Sequence, residues 1–102
     1  MKQKPLKEHL QTLRQQIIDL LQVQELTARE ISQELGIREK EVFDHLTHIG
    51  RSASRQGLQL KIFPWSCLGC GYIFSDRKRL TRPSRCPKCK GSHLRVARFT
   101  IE

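Results

Sequence analysis

Apolar residues at the start of the chain recur at spacings of three and four, which places them on one face of an α-helix. The stripe runs from Leu6 to Leu21 and predicts an amphipathic helix of about 18 to 20 residues, roughly 30 Å long. Because the opposite face is polar, the apolar face must be covered either by the core of the chain or by a second copy in a homodimer. The residues of this stripe are Leu6, Leu10, Leu13, Ile17, Leu20 and Leu21.

A second, shorter helix is predicted to begin just after Thr27. Thr27 and Glu30 have the spacing of a capping box, in which the threonine hydroxyl accepts from the Glu30 amide and the carboxylate accepts from the Thr27 amide. Ile31 and Leu35 are expected to face inward. Gly36 stands where a residue with positive φ would end the helix.

The third helix is predicted from about residue 39 to beyond residue 49. Its first turns are acidic through Glu39, Glu41 and Asp44, which the helix dipole favours. His45 and His48 are expected to be exposed polar residues rather than ligands. The apolar stripe consists of Val42, Leu46, Ile49 and Ala53.

Alternating residues in the second half of the chain predict two β-strands. Leu58, Leu60 and Ile62 alternate with their neighbours, which indicates a strand before the first cysteine. Residues 94–101 alternate less regularly, and the break at residues 96–97 predicts a β-bulge. We expect the two strands to pair as a hairpin, with the intervening segment inserted at its tip.

Composition limits the chain to one small core and divides its charge unevenly. Its 102 residues are 37% hydrophobic and 28% charged, with a formal net charge of +9. Residues 1–57 hold 9 Lys and Arg against 8 Asp and Glu, whereas residues 58–102 hold 10 against 2. This shift predicts a helical module over 1–57 and a basic module over 58–102. Without an apolar run of about 18 residues or a secretory signal, we expect a cytoplasmic protein with no membrane partner.

The four cysteines carry the most specific chemistry in the sequence. Cys67 and Cys70 are separated by two residues, as are Cys86 and Cys89, and 15 residues lie between the pairs. This is the spacing of a tetrathiolate zinc site, because each pair directs two sulfurs to one point and two pairs supply a tetrahedron. With all four positions filled by cysteine, the zinc is expected to be structural and not catalytic. Four aromatic residues are expected to form a small core around this segment: Phe63, Trp65, Tyr72 and Phe74.

The two cysteine segments, residues 67–74 and 86–89, resemble the knuckles of rubredoxin-like domains. Rubredoxins hold one iron and transfer electrons, so the resemblance makes iron the alternative metal. Zinc is preferred because the surroundings are basic and Lys90 stands where a glycine often follows the second knuckle. One zinc ion would then supply folding free energy to the 45 residues 58–102, which hold the ribbon over residues 67–89 and cannot bury enough surface alone.

Residues 26–37, followed by Val42 and Leu46, resemble the helix-turn-helix of prokaryotic winged-helix regulators, including the small Ser32 four residues before Gly36. Joined to a carboxy-terminal zinc ribbon, this motif resembles a small family of predicted archaeal transcription regulators. The resemblance implies an α+β fold: a winged helix-turn-helix of three helices and a β-hairpin wing, with the zinc ribbon inserted at the wing.

A basic segment follows the first knuckle. Seven Lys and Arg side chains fall within the fourteen residues 77–90, which predicts a surface for phosphate groups or, alternatively, a solvated loop that keeps the protein soluble. The predicted phosphate contacts are Arg77, Lys78, Arg79, Arg82 and Arg85. On the third helix the predicted contacts are Lys40, Thr47, His48 and Arg51.

These features predict a DNA-binding protein that regulates transcription through the third helix and the basic ribbon. Two alternatives remain open: a protein-interaction adaptor that uses the acidic third helix, and an RNA-binding ribbon in a transcription or RNA-processing assembly. An enzyme is not expected, since every cysteine is assigned to metal and no Gly-rich phosphate loop is present.

Overall fold

A computed structural model describes the backbone of residues 6–75 and 77–102, with side chains from residue 12 onward. It shows an α+β fold of three helices followed by two small antiparallel sheets and a ribbon, as predicted at this level. The side chains of Leu6 and Leu10, two members of the predicted stripe, lie outside the described residues. The helices are α1 (Leu6–Val23), α2 (Ala28–Leu35) and α3 (Glu39–Ser52), and the strands are β1 (Leu60–Phe63), β2 (Ser66–Cys67), β3 (Leu94–Arg95) and β4 (Arg98–Ile101).

The apolar stripe of α1 is buried in the core of the chain itself. Leu13, Ile17 and Leu21 are all buried, and Ile18, which the predicted stripe omitted, is buried beside them. These side chains are therefore covered by the chain's own α3 and β4, both of which pack on α1.

The turn between α2 and α3 forms as the sequence predicts. The Glu30 amide donates to the Thr27 hydroxyl at 3.1 Å, and the Thr27 amide donates to the Glu30 carboxylate at 2.9 Å. Gly36 follows α2 with φ 67°, a conformation that costs glycine little because it has no Cβ. The Ser32 hydroxyl donates to the carbonyl of Ile37 and ties the end of α2 to the turn.

Helix α3 buries the predicted stripe and one residue that was expected outside it. Val42, Leu46 and Ile49 are buried. The expectation that His45 is exposed is wrong, because only 5% of its surface is accessible. Arg14 of α1 donates from Nε to His45 Nδ1 at 3.3 Å. Burial and this neighbouring guanidinium lower the pKa of His45.

The two strands that flank the ribbon pair with each other. Strand β1 runs antiparallel to β4, with Ile62 opposite Phe99. Residues 64–97 lie between the two strands in sequence, and the ribbon of the structure is this segment. The predicted bulge at residues 96–97 is instead a gap between two strands, since β3 ends at Arg95 and β4 begins at Arg98.

Strand β4 joins the ribbon side of the chain to the helices. Its backbone pairs with Leu26, whose amide donates to the Phe99 carbonyl at 3.0 Å, while the Phe99 amide donates back at 2.8 Å. The Thr100 hydroxyl donates to the Leu21 carbonyl at 3.0 Å. The outer strand β1 is less covered: Ile62 is exposed, and so is Phe63, which was expected in the ribbon core.

One apolar core runs from the helices into the ribbon. It includes Ile17 and Val42 from the helices, Phe99 from β4, and Trp65 and Phe74 from the ribbon. Across the described part of the chain, none of the helices combines the length and the apolar character needed to cross a membrane.

Candidate metal centre and nucleic-acid interface

The two cysteine pairs lie on turns of the same shape. In the first turn the Gly71 amide donates to the Cys67 carbonyl at 2.9 Å, and in the second the Lys90 amide donates to the Cys86 carbonyl at 2.8 Å. Gly71 has φ 83° and Lys90 has φ 64°. Lys90 therefore takes a left-handed conformation that favours glycine.

These turns bring the sulfurs of Cys67, Cys70, Cys86 and Cys89 to within 4.8 Å of one another. The closest approaches join the two turns: Cys67 Sγ to Cys89 Sγ and Cys70 Sγ to Cys86 Sγ, each 3.5 Å. Both distances are far longer than the ~2 Å of a disulfide. They are close to the ~3.8 Å edge of a tetrahedron with Zn–S bonds of ~2.3 Å. The residues present fit one zinc ion with four thiolate ligands.

Backbone N–H groups point at these sulfurs and adjust their acidity. The Cys70 amide lowers the pKa of the Cys67 thiol to about 7, with smaller help from Gly69 and Cys89 and against the effect of burial. The Tyr72 amide acts to lower the pKa of Cys70, but burial and the three neighbouring sulfurs outweigh it and raise that pKa to about 12. Four sulfurs this close are thiolates together only around a cation, which a bound zinc supplies.

Aromatic side chains hold the ribbon to the rest of the core. Trp65 is buried, and its indole Nε1 donates to the Leu80 carbonyl at 3.0 Å, which fixes the basic loop. Tyr72 and Phe74 meet edge to face with ring centres 5.0 Å apart. The prediction of a small aromatic core is therefore confirmed for Trp65 and Phe74 and wrong for Phe63, which is 48% exposed.

The predicted phosphate-contacting residues of the ribbon fall into two groups. The side chains of Arg77 and Arg82 form hydrogen bonds to backbone carbonyls of the ribbon. Arg77 donates to the Thr81 carbonyl at 3.2 Å, and Arg82 donates to the Ser92 carbonyl at 3.2 Å. In contrast, the structure gives no polar partner among its described residues to Lys78, Arg79 or Arg85, all of which are exposed. Among the described residues the second group therefore has no polar partner to give up when a ligand binds, whereas Arg82 is exposed but already donates one hydrogen bond.

Three of the four residues predicted on α3 share one exposed stripe. Lys40, Thr47 and Arg51 recur at helical spacing on the face opposite the buried residues and are exposed. Asp44 lies between them on the same stripe. His48 is exposed but lies to one side, where it lines a groove against α1.

The ribbon lies beside the amino-terminal ends of α2 and α3. A cleft of about 180 Å³ is lined by Arg29 of α2, Glu39 and Phe43 of α3, and Trp65 and Arg82 of the ribbon. The guanidinium of Arg82 lies over the Trp65 ring, 5.8 Å from its centre. The ribbon therefore adds positive charge next to the acidic start of α3.

The sequence interpretation did not include three basic residues near this surface. Arg29 lines the cleft, and Arg95 and Arg98 line a groove beside Phe63. Arg98 pairs with Glu25 at 3.3 Å. Arg29 belongs to α2 itself, whereas Arg95 and Arg98 are distant in sequence and only strand pairing places them near the start of α2.

Two family models match successive parts of the chain. The model of PF0610-like N-terminal domains matches residues 12–61, and the model of the PF0610 rubredoxin-like zinc β-ribbon domain matches residues 64–102. The solution NMR structure of protein PF0610 from Pyrococcus furiosus is similar along 100% of this chain and 95% of that chain, with 30% sequence identity and a TM-score of 0.75. No curated protein matches. Together with the sulfur geometry, the ribbon match identifies the metal as one structural zinc ion.

Proposed function

The chain belongs to the PF0610-like family with its rubredoxin-like zinc ribbon, and we propose that it is a DNA-binding protein that regulates transcription. In this proposal α2 and α3 act as a winged helix-turn-helix, and the β1–β4 hairpin acts as its wing. Helix α3 docks in or beside the major groove, while the basic ribbon contacts the neighbouring phosphates. The role is one of binding and not of catalysis.

The observation that carries the proposal is the cleft shared by α3 and the ribbon. Because Arg82 lines it together with Glu39 and Phe43, a ligand that reaches the start of α3 also meets the basic ribbon. Phosphate contacts position a protein on DNA and base contacts give specificity, so the two elements would have separate tasks. Zinc with four thiolates contributes −2, which leaves the chain strongly basic because its formal charge is +9.

The acidic start of α3 shifts the expected base contacts along the helix. Glu39 and Asp44 are exposed and would repel phosphates. Glu41 is neutralised in part by Arg38 at 3.1 Å. Base contacts are therefore proposed for Thr47 and Arg51, further along the exposed stripe, with Lys40 close to the backbone.

A selection of duplexes from a random DNA pool at two salt concentrations tests the proposal. Enrichment of a sequence motif supports a regulator, and salt-sensitive capture without a motif reduces the proposal to non-specific DNA binding. Failure to capture duplexes at either salt concentration contradicts it.

A pair of double variants tests the ribbon separately. Lys78→Gln with Arg79→Gln removes two exposed charges that have no polar partner among the described residues. Arg14→Gln with Arg55→Gln removes two charges that line the groove beside the carboxy-terminal half of α3, away from the ribbon. Each engaged phosphate contributes a slope of about −0.9 to the logarithm of affinity against the logarithm of salt concentration. The ribbon variant is expected to reduce that slope by about 1.8 and the control to leave it unchanged. Equal slopes in wild type and ribbon variant exclude the ribbon from the interface.

The exposed carboxylates of α3 favour one second candidate, a protein-interaction adaptor. Glu39 and Asp44 would then meet a basic partner protein instead of DNA. This candidate predicts no salt-sensitive capture of duplexes, and charge reversal at Glu39 and Asp44 would abolish binding to the partner.

A further inference from the structure

A groove lies between α1 and the carboxy-terminal half of α3, away from the ribbon. Its volume is about 410 Å³, within the size range of small-molecule sites. The floor is apolar and comes from Ile18 and Ile49, and the walls carry basic and polar side chains. Its lining includes Arg14, Ile18, His48, Ile49 and Arg55.

The groove collects positive charge that no described acidic residue balances. Arg14 and Arg55 are permanently charged, and among the side chains that the structure describes no Asp or Glu lines the groove. Among the described residues, neither arginine forms an ion pair. Two carboxylates act electrostatically on nearby His45, namely Glu41 and Asp44, but neither lines the groove, and Glu41 pairs with Arg38.

One of these arginines is held in place before any ligand arrives. Arg14 donates from Nε to Nδ1 of the buried His45 at 3.3 Å, which fixes the plane of its guanidinium. The two terminal nitrogens have no partner among the described residues and remain free to bind two oxygens of one anion. Because this side chain is already ordered, it would lose less conformational entropy when a ligand binds.

The charge of the groove selects among oxyanions. Two guanidinium groups balance a phosphate monoester, which carries about −1.5 to −2 at pH 7, better than a carboxylate with one charge. His48 adds a nitrogen donor at the rim, and the isoleucine floor suits an apolar or planar body attached to the phosphate. We propose that this groove binds a small phosphate monoester.

This site is separate from the DNA-binding surface proposed above. Of the groove residues, only His48 was predicted to contact nucleic acid, and it lies beside the exposed stripe of Lys40, Thr47 and Arg51 and not on it. The proposal therefore stands or fails independently of DNA binding. A ligand in the groove would contact α3 on the side that faces α1.

Titration of the zinc-loaded full chain in phosphate-free buffer tests the site. Adenosine monophosphate, inorganic phosphate and adenosine are the probes, and amide shifts in ¹H–¹⁵N spectra are the readout. We expect adenosine monophosphate to cause saturable amide shifts at residues 14, 48 and 55. Phosphate should cause weaker shifts at the same residues, and adenosine should cause none. Absence of saturable shifts up to about 10 mM overturns the proposal.

Matched variants separate this site from general attraction to a basic protein. Arg14→Gln with Arg55→Gln is expected to weaken nucleotide binding by at least about tenfold, whereas Lys78→Gln with Arg79→Gln is expected to leave it unchanged. Arg55→Gln alone serves if the double variant does not fold, since Arg55 is exposed. An equal loss in both double variants overturns the proposal. The proposal is also overturned if duplex DNA shifts the amide signals of residues 14, 48 and 55 at a lower concentration than the nucleotide does, because the arginines would then contact DNA.

Discussion

Truncation of Phe99 to alanine is expected to lower the free energy of unfolding by about 3–5 kcal/mol. The ring is completely buried, with 0% of its surface accessible. It lies on β4, whose backbone is held by Leu26 on one side and by β1 on the other. Because these hydrogen bonds restrain the strand, the walls cannot collapse fully into the space that the ring leaves. The loss is a large share of the ~5–15 kcal/mol that stabilises a typical domain.

Phe63→Ala is the matched control. It removes the same ring from β1, the partner strand, where 48% of the side chain is exposed. Full burial of such a side chain contributes about 1.5–3 kcal/mol, so half of that, about 1.5 kcal/mol or less, is the expected cost. The comparison separates burial from the general effect of removing an aromatic residue from a strand.

Urea unfolding of the zinc-loaded protein at fixed free zinc measures both variants. Fluorescence of Trp65 reports on the ribbon and far-ultraviolet circular dichroism reports on the helices. Since the core is continuous, Phe99→Ala should shift both transitions together. Equal costs for the two variants, or a shift in the helical signal with unchanged Trp65 fluorescence, would refute the claim that β4 joins ribbon and helices through one core.

Three further outcomes are expected. Removal of zinc by a chelator should collapse the amide dispersion of residues 64–97, because metal binding supplies the folding free energy of such small ribbons; preserved dispersion in metal-free protein contradicts this. Lys90→Gly should raise the free energy of unfolding by up to about 1 kcal/mol by relieving φ 64°; the control Lys88→Gly, which removes the same charge, should not. His45 has a pKa below its ordinary 6.5, so the unfolded chain binds its proton first and stability should fall as the pH drops through 6.5. His45→Gln should show a shallower fall, and identical pH profiles would refute the assignment.

Local features of the fold could be predicted because short-range chemistry determines them. The Thr27–Glu30 capping box and the turn at Gly36 involve residues only a few positions apart. The cysteine pairs are equally local: each turn is specified by its own four residues, and tetrahedral coordination then requires the two turns to meet. The zinc centre therefore follows from spacing alone.

Long-range packing could not be predicted in the same way. The bridge between Leu26 and Phe99 joins residues 73 positions apart in sequence, and no local pattern marks it. The alternation around Ile62 predicts a strand but not which side of it is covered, and Ile62 is exposed because α1 packs on β4 and leaves β1 outside. His45 did carry a signal, since it falls three residues after Val42 and four before Ile49, on the buried face. Its polarity outweighed that spacing in the prediction.

The position of the ribbon follows from its attachment at both ends. A domain joined by one flexible linker moves relative to its neighbour by default, whereas this ribbon leaves the helical part through β1 and returns through β4, which pair with each other. Its core is also continuous with that of the helices through Trp65 and Phe99. Arg82 is therefore held beside the start of α3, and no separate ordering of the ribbon is needed when a ligand binds. Under the proposed function, this attachment lets a helix that begins with acidic residues share one DNA-binding surface with the basic ribbon.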